Sequence, residues 1–201
     1  SLEHQQQQIS RKGLVTSLAK STIRAFDIVG GIAVIETHTY ASGKETAKKI
    51  MLQHKHIKSV YRKIGGHEGK LRVQKLRWVR GEEKTTTTHK ENGVSLNLDI
   101  AKVYFSPRQA TERQRVFSQI KKPETVLVMF SGVGPFTIEI AKNTPSKAVY
   151  GVELNRTAHK YALENAKLNK VDAKTALLCG DARKIVPKLK LKFDRIIMPL
   201  P

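Results

Sequence analysis

The chain has 201 residues, enough for one large domain or two small ones with an adequate core. Its 37 lysines and arginines against 17 acids give a formal charge of +20, which points to a polyanionic partner. One cysteine, Cys179, excludes an internal disulfide and a cysteine-based zinc cluster, so no metal is expected. No apolar run approaches the roughly eighteen residues of a membrane span, and no signal peptide precedes the first predicted domain. A cytoplasmic protein with no membrane association is expected.

The charge is uneven. Residues 1–122 hold 24 of the basic and 10 of the acidic side chains, a net of +14, and residues 123–201 hold the other 13 and 7, a net of +6. The basic surface should therefore lie mainly in the first half, as nucleic-acid binding would require; a surface that is merely soluble is the competing reading.

Residues 1–22 read as a tail or linker remnant, and the start at Ser1 without an initiator Met suggests an excised region. Residues 23–108 read as a smaller α+β domain. FDIVGGIAVIET (26–37) predicts a hairpin or bent strand around Gly30-Gly31, and residues 44–54 a helix with Ala47, Ile50 and Met51 on one side. SVYRKI, KLRVQKLRWV, KTTTTHK and VSLNLDI, broken at Gly65-Gly66, Gly81 and Asn92-Gly93, predict an antiparallel sheet. Asn92-Gly93 is the strongest hairpin signal in the chain. Residues 109–122 predict a linker helix, from about 109 to 121.

KVYFSPRQATERQR (102–115) precedes the second domain. Tyr104 and Phe105 offer flat faces, Pro107 stiffens the turn, and Arg108, Arg113 and Arg115 bracket the single carboxylate of Glu112. On a helix Arg108 and Glu112 share a face. They are either an ordinary exposed ion pair or part of a site in which Tyr104 stacks on an extruded base, arginines hold phosphate or a base oxygen, and Glu112 accepts a proton.

Residues 123–201 predict a Rossmann-like α/β domain. In VLVMFSGVGPFTIEIAK (126–142) an unbroken apolar strand leads into a glycine turn and a helix that starts at Pro135. The dinucleotide fingerprint needs a third glycine where Thr137 stands, so nicotinamide binding is disfavoured and S-adenosylmethionine favoured. The turn from Ser131 through Gly132, Val133 and Gly134 to Phe136 should face the methionine portion. Glu153, with Leu154 beside it, should face the ribose, and Asp181, with Ala182, the adenine. Glu153 alone would serve the ribose of NAD equally well. Cys179 reads as a small core residue. Strands near 125–130, 148–154, 175–180 and 194–199, with helices near 135–143, 156–169 and 182–189, fall short of the seven or so strands of the complete fold. The second domain is therefore expected to be incomplete at its C-terminal end.

HKENG (89–93), DIAKVYFSPRQATERQRV (99–116), MFSGVGPFTIEIAK, VYGVELNRTAHKYALENAKLNKV (149–171), GDAR (180–183) and RIIMPLP (195–201) stand in one order. That order resembles the archaeal and eukaryotic tRNA (guanine37-N1)-methyltransferase family, whose archaeal branches also serve wyosine synthesis. The resemblance covers about residues 23–201 and implies a middle domain and a class I Rossmann-like methyltransferase domain, without the family's N-terminal tRNA-docking domain. It implies S-adenosylmethionine as cofactor, tRNA as partner and a monomeric enzyme. Glu112 would take the N1 proton of guanine, with Arg108 and Arg113 around it. Arg72 would stabilise charge on guanine O6, and Tyr104 would lie against the flipped base or its neighbour. Two positions depart from the family pattern: Val128 replaces an acid, and Pro199 replaces an asparagine that contacts the target base. The other readings are a wyosine-pathway methyl- or aminocarboxypropyltransferase, a non-catalytic RNA-binding fragment, and a small-molecule methyltransferase, which the basic first domain disfavours.

Overall fold

The computed structural model describes residues 26–69 and 71–199; the expected tail at 1–22 lies outside them. A first unit is built on a four-stranded sheet in the order β1 (Asp27–Val29), β2 (Ile32–Ile35), β3 (Ser59–Glu68), β4 (Val73–Gly81). β1 and β2 form the hairpin expected around Gly30-Gly31. Gly30 has φ +54°, and an added Cβ would lie 2.4 Å from the carbonyl oxygen of Thr88, so only glycine fits that turn. Helix α1 (Tyr40–Gln53) carries the chain over to β3, which lies parallel to β2. It buries Ala47 and Ile50 against Ala33, Ile35, Val60 and Val79. It starts earlier than expected because Thr39 caps it, its side chain accepting from the Ser42 N–H.

The four segments expected to make one sheet are divided between two units. β3 and β4 complete the first sheet, whereas β5 (Thr86–Glu91) and β6 (Val94–Asp99) form a separate ribbon. Its turn holds Asn92 and Gly93 at φ 44° and 76°, the primed geometry that Asn-Gly favours. β6 turns Val94 and Leu96 into the core of the α/β unit, beside Phe136 and Ile138. The sequence groups this hairpin with the strands before it, but its packing joins it to the α/β unit.

After Val103 a 3₁₀ turn (Pro107–Gln109) leads into α2 (Ala110–Phe117), which ends before the expected residue 121. The α/β unit continues as β7 (Thr125–Met129), α3 (Pro135–Asn143), β8 (Ala148–Glu153), α4 (Arg156–Leu168), β9 (Thr175–Cys179), α5 (Ala182–Ile185) and β10 (Arg195–Ile197). All four strands are parallel, in the order β10-β7-β8-β9, so the order reverses beside β7. Ligands of open α/β sheets bind at that switch point, outside the carboxyl ends of the strands. Cys179 is exposed at the end of β9, against expectation, because β9 is an edge strand. Val29, Ile32, Val34 and Tyr61 of the first unit pack with Leu98, Ile100, Val133 and Ala158, which closes the two units onto each other. Among the described residues no helix is long and apolar enough to cross a membrane, and no acid, His and Cys cluster could hold a metal.

Candidate active site

A cleft of about 330 Å³ opens at the carboxyl ends of β7, β8 and β9. Its position is set by the turn after β7. Ser131 N–H donates to Val152 O and Gly134 N–H to Ser131 O, folding the chain back before Pro135 starts α3. Gly132 (φ +58°) and Gly134 (φ +92°) take conformations that side chains disfavour. A Cβ on Gly132 would meet nothing nearer than the Tyr104 carbonyl oxygen at 3.9 Å, so a ligand can approach that backbone closely.

Glu153 ends β8 at the cleft. Its Oε2 accepts from Gly132 N–H and its Oε1 from Asn155 N–H, both at 2.7 Å. A carboxylate has about four lone-pair sites, which leaves roughly two for vicinal hydroxyls. Asn155 caps α4 by accepting from the N–H groups of Thr157 and Ala158, and donates to Lys102 O. Asp181 caps α5, accepting from Arg183 N–H, and is gripped by the Arg183 guanidinium at 2.7 and 3.1 Å. Those bonds hold its carboxyl down at about 2.

Eight expected site residues line this one cleft: Arg72, Tyr104, Gly132, Glu153, Leu154, Asp181, Ala182 and Pro199. Arg72 and Tyr104 also line a smaller adjoining cavity with Phe105, Ser106 and Pro107. The rest of the glycine turn stands behind the cleft. Ser131, Val133, Gly134 and Phe136 are buried, and the Val133 and Phe136 side chains belong to the core. Any contact they make with a cofactor must therefore run through the main chain.

In residues 102–115 the expectations for Arg108 and Arg113 need correction. Arg108 pairs with Asp27 at 2.5 Å rather than with Glu112. Glu112, 53% exposed, is held by Arg115 at 2.6 and 2.7 Å, and that bond keeps its carboxyl below the usual range. Arg113 is 1% exposed and pairs with Glu91 and Glu139, so it cannot hold a substrate directly. Val128, at the departure from the family pattern, is fully buried among Phe136 and Ile138. An acid there would need a partner, and valine fills the space as core.

Asn155, Phe130 and Arg183 also line the cleft, without having been singled out from sequence. Asn155 carried a usable signal, a capping residue directly before the periodic run RTAHKYAL. Phe130 combines a positive φ of 58° with an exposed ring, an unusual conformation for an aromatic residue at a strand end.

The family model of the TRM5/TYW2 methyltransferase domain matches residues 87–201, starting at the hairpin that packs on the α/β unit. The chain is 48% identical over 179 residues to tRNA (guanine(37)-N(1))-methyltransferase Trm5b of Pyrococcus abyssi, covering 88% of this chain and 52% of that protein. It is 34% identical over 181 residues to tRNA 4-demethylwyosine(37)-methyltransferase Taw21 of Saccharolobus solfataricus, covering 89% of this chain and 68% of that one. The solved complex of aTrm5 and tRNALeu superposes with a TM-score of 0.79 at 34% identity, over 89% of this chain and 52% of that one. The chain thus spans about half the length of its Pyrococcus relative. Matched over more than half of its residues, and carrying the strand order and glycine turn described above, the chain belongs to the TRM5/TYW2 methyltransferase domain family.

Proposed function

We propose that the protein transfers a methyl group from S-adenosylmethionine to N1 of guanosine 37 in tRNA. One observation carries this reading: three adjacent parallel strands bring Gly132, Glu153 and Asp181 to a single cleft, and Arg72 and Tyr104 line the same cleft. The residues fit the cofactor. Gly132 offers open backbone, Glu153 has lone pairs left for ribose hydroxyls, and Asp181 stands at the end of the next strand for the adenine. Bound there, S-adenosylmethionine would supply the methyl group.

The protein's own tasks are then to hold the base and remove its N1 proton. Guanine N1 is protonated at neutral pH and must lose that proton to become nucleophilic, with charge spreading to O6. Arg72, at the junction of cleft and smaller cavity, is the guanidinium assigned to O6, and Tyr104 the ring assigned to the base. Glu112 is assigned the proton. It stands in the first turn of α2, shortly after Ser106 and Pro107 of the smaller cavity. Its present bond to Arg115 joins two exposed side chains whose attraction water screens, so an incoming base can displace it.

The 34% identity to a 4-demethylwyosine methyltransferase, together with a prolyl side chain at the cleft that cannot donate a hydrogen bond, supports a second reading, a tricyclic wyosine precursor as substrate. The deciding experiment incubates the full-length protein with labelled cofactor and tRNA carrying guanosine, adenosine, inosine or 4-demethylwyosine at position 37. Nucleoside mass spectrometry then identifies the base and atom. Label on guanosine N1 supports the first reading; label on 4-demethylwyosine alone replaces it with the second.

A further inference from the structure

Helix α2 carries Glu112, yet only one of its eight residues is fully buried, and that residue is charged. The Arg113 guanidinium sits near the rings of Phe105 and Phe136, at 5.3 and 6.0 Å from their centroids. Its Nε lies 2.6 Å from Glu91 Oε1 and 3.3 Å from Glu139 Oε1, and its Nη2 donates to Glu91 Oε2 and Ser106 O at 2.8 and 3.1 Å. The network continues on both sides. Asn92 Nδ2 donates to Glu139 Oε2 at 2.8 Å, while His89 joins Glu91 at 3.1 Å and accepts from Gly30 N–H. Arg113 thus ties α2 to the hairpin and to α3, the helix that begins at the glycine turn, and the hairpin's Glu91 and His89 carry the network on to the turn of the first sheet.

One guanidinium cannot neutralise two buried carboxylates. Burial and the neighbouring Glu91 push Glu139 up to about 9, whereas burial of Glu91 is overcome by its bonds from His89 and Arg113, which hold it at about 2. Glu91 Oε1, Glu139 Oε1 and Arg113 Nε are all buried without a well-aligned hydrogen bond, and a proton kept between the two carboxyls would satisfy the two oxygens. The titratable and charged groups of this cluster are His89, Glu91, Arg113 and Glu139.

We propose that Arg113 is a positioning residue: through Glu91 and Glu139 it fixes α2, and with it Glu112, relative to the helix that begins at the cofactor turn. It touches neither substrate nor cofactor. The activity readouts rest on the function proposed above, and the exchange readout does not.

Arg113→Lys keeps the charge but loses the planar fork that reaches Glu91, Glu139 and Ser106 together. In the full-length protein, kcat for methyl transfer should fall by about ten- to a hundredfold, the scale of a small misplacement, with affinities for cofactor and tRNA within about threefold. Amide hydrogen exchange should quicken by about tenfold or more across Ala110–Phe117 while α1 is unchanged. Glu139→Gln imitates the protonated acid. Its kcat should match wild type near neutral pH, and the ratio of variant to wild type should rise as pH passes about 9. An unaltered kcat in Arg113→Lys, equal loosening of α1 and α2, or a flat Glu139→Gln ratio overturns the proposal. A wild-type protein that transfers no methyl group overturns the function instead, and the exchange measurement still decides the role of Arg113.

Discussion

Gly132 N–H donates to the Glu153 carboxylate at 2.7 Å, so the turn after β7 and the end of β8 hold each other in place at the cleft. The acid expected to face the ribose thus also shapes the turn expected to face the methionine portion. Glu153→Ala should weaken S-adenosylmethionine by about ten- to a hundredfold, the worth of a charge-assisted hydrogen-bond pair. Glu153→Gln retains one acceptor oxygen and should fall between Ala and wild type. Calorimetric titration measures both, and unchanged affinity in the alanine variant would refute the assignment.

Asn165 and Asn169 take the place of a strand along the free edge of β6. Asn165 accepts from Asn97 N–H and donates to Asn97 O, and Asn169 does the same for Ser95, at 2.7–3.0 Å. At this joint between hairpin and helix, Asn165→Ala leaves three backbone groups without this partner, Asn97 N–H, Asn97 O and Val133 O, at a cost of about 1–3 kcal/mol for each group that water cannot reach. Denaturant unfolding should show that loss for each single variant. Asn169→Ala should also lose the bond from Nδ2 to the main-chain carbonyl of residue 165, and any departure of the double variant from the sum measures the coupling of the two asparagines.

That joint marks the limit of what the sequence made legible. The strand, glycine turn and helix of residues 125–143 could be read because their signals are local: an unbroken apolar run, two glycines and a proline. Asn92-Gly93 was legible for the same reason. The docking of β6 was not, since it depends on two asparagines inside a later helix that match its backbone. Nor was the inward turn of Arg113. An arginine in a polar run reads as exposed, and its burial depends on Glu91 in the hairpin and on Glu139, concealed in an otherwise apolar helix. Most of the cleft was legible because each strand of a parallel sheet delivers its last residues to the same edge. Helix α2 was harder, because its one buried side chain, Arg113, is paired with acids from two other elements.

The same network predicts a pH dependence of stability. Glu139 has a folded value of about 9, above the ordinary carboxylate range, so its contribution is complete below the unfolded value and is lost as pH rises through about 9. Glu91, held at about 2, contributes above its unfolded value and loses that contribution as pH falls toward 2. Thermal unfolding midpoints should therefore fall as pH rises from the ordinary carboxylate range to about 9 and level off above it in wild type, with a smaller fall in Glu139→Gln. Parallel curves for the two proteins would place the proton elsewhere.

With a net of +14 in residues 1–122, tRNA binding should release several counterions. Log affinity should fall with log salt by about 0.7–0.9 for each phosphate contact. Substituting exposed cations of the first unit, such as Arg77 and Arg80 of β4, should flatten that slope more than substituting Lys188 or Lys190 of the second. A slope near zero would reduce the charge to a solubility feature.

Glu112 offers the most direct test of the chemistry. Glu112→Gln keeps shape and polarity but removes the basic oxygen, so methyl transfer should fall by about 10²–10⁴-fold, the usual worth of a positioned acid–base group. Binding of tRNA and cofactor should stay within a few fold, because the side chain is exposed and lines neither the cleft nor the smaller cavity. The Arg115 bond holds the wild-type carboxyl below its ordinary value, which keeps it ionised and makes it a weaker base for as long as that pair persists. The wild-type rate should rise with pH while the guanine proton is the harder one to remove, and the glutamine variant should depend more steeply on hydroxide. Arg115→Ala separates the two roles of the present ion pair. If Arg115 only restrains the carboxylate, its removal leaves transfer intact or faster; if it holds Glu112 toward the base, transfer falls with it. Should Glu112→Gln transfer methyl groups at the wild-type rate, the 2.6 Å pair with Arg115 is the whole function of this acid, and another group removes the N1 proton.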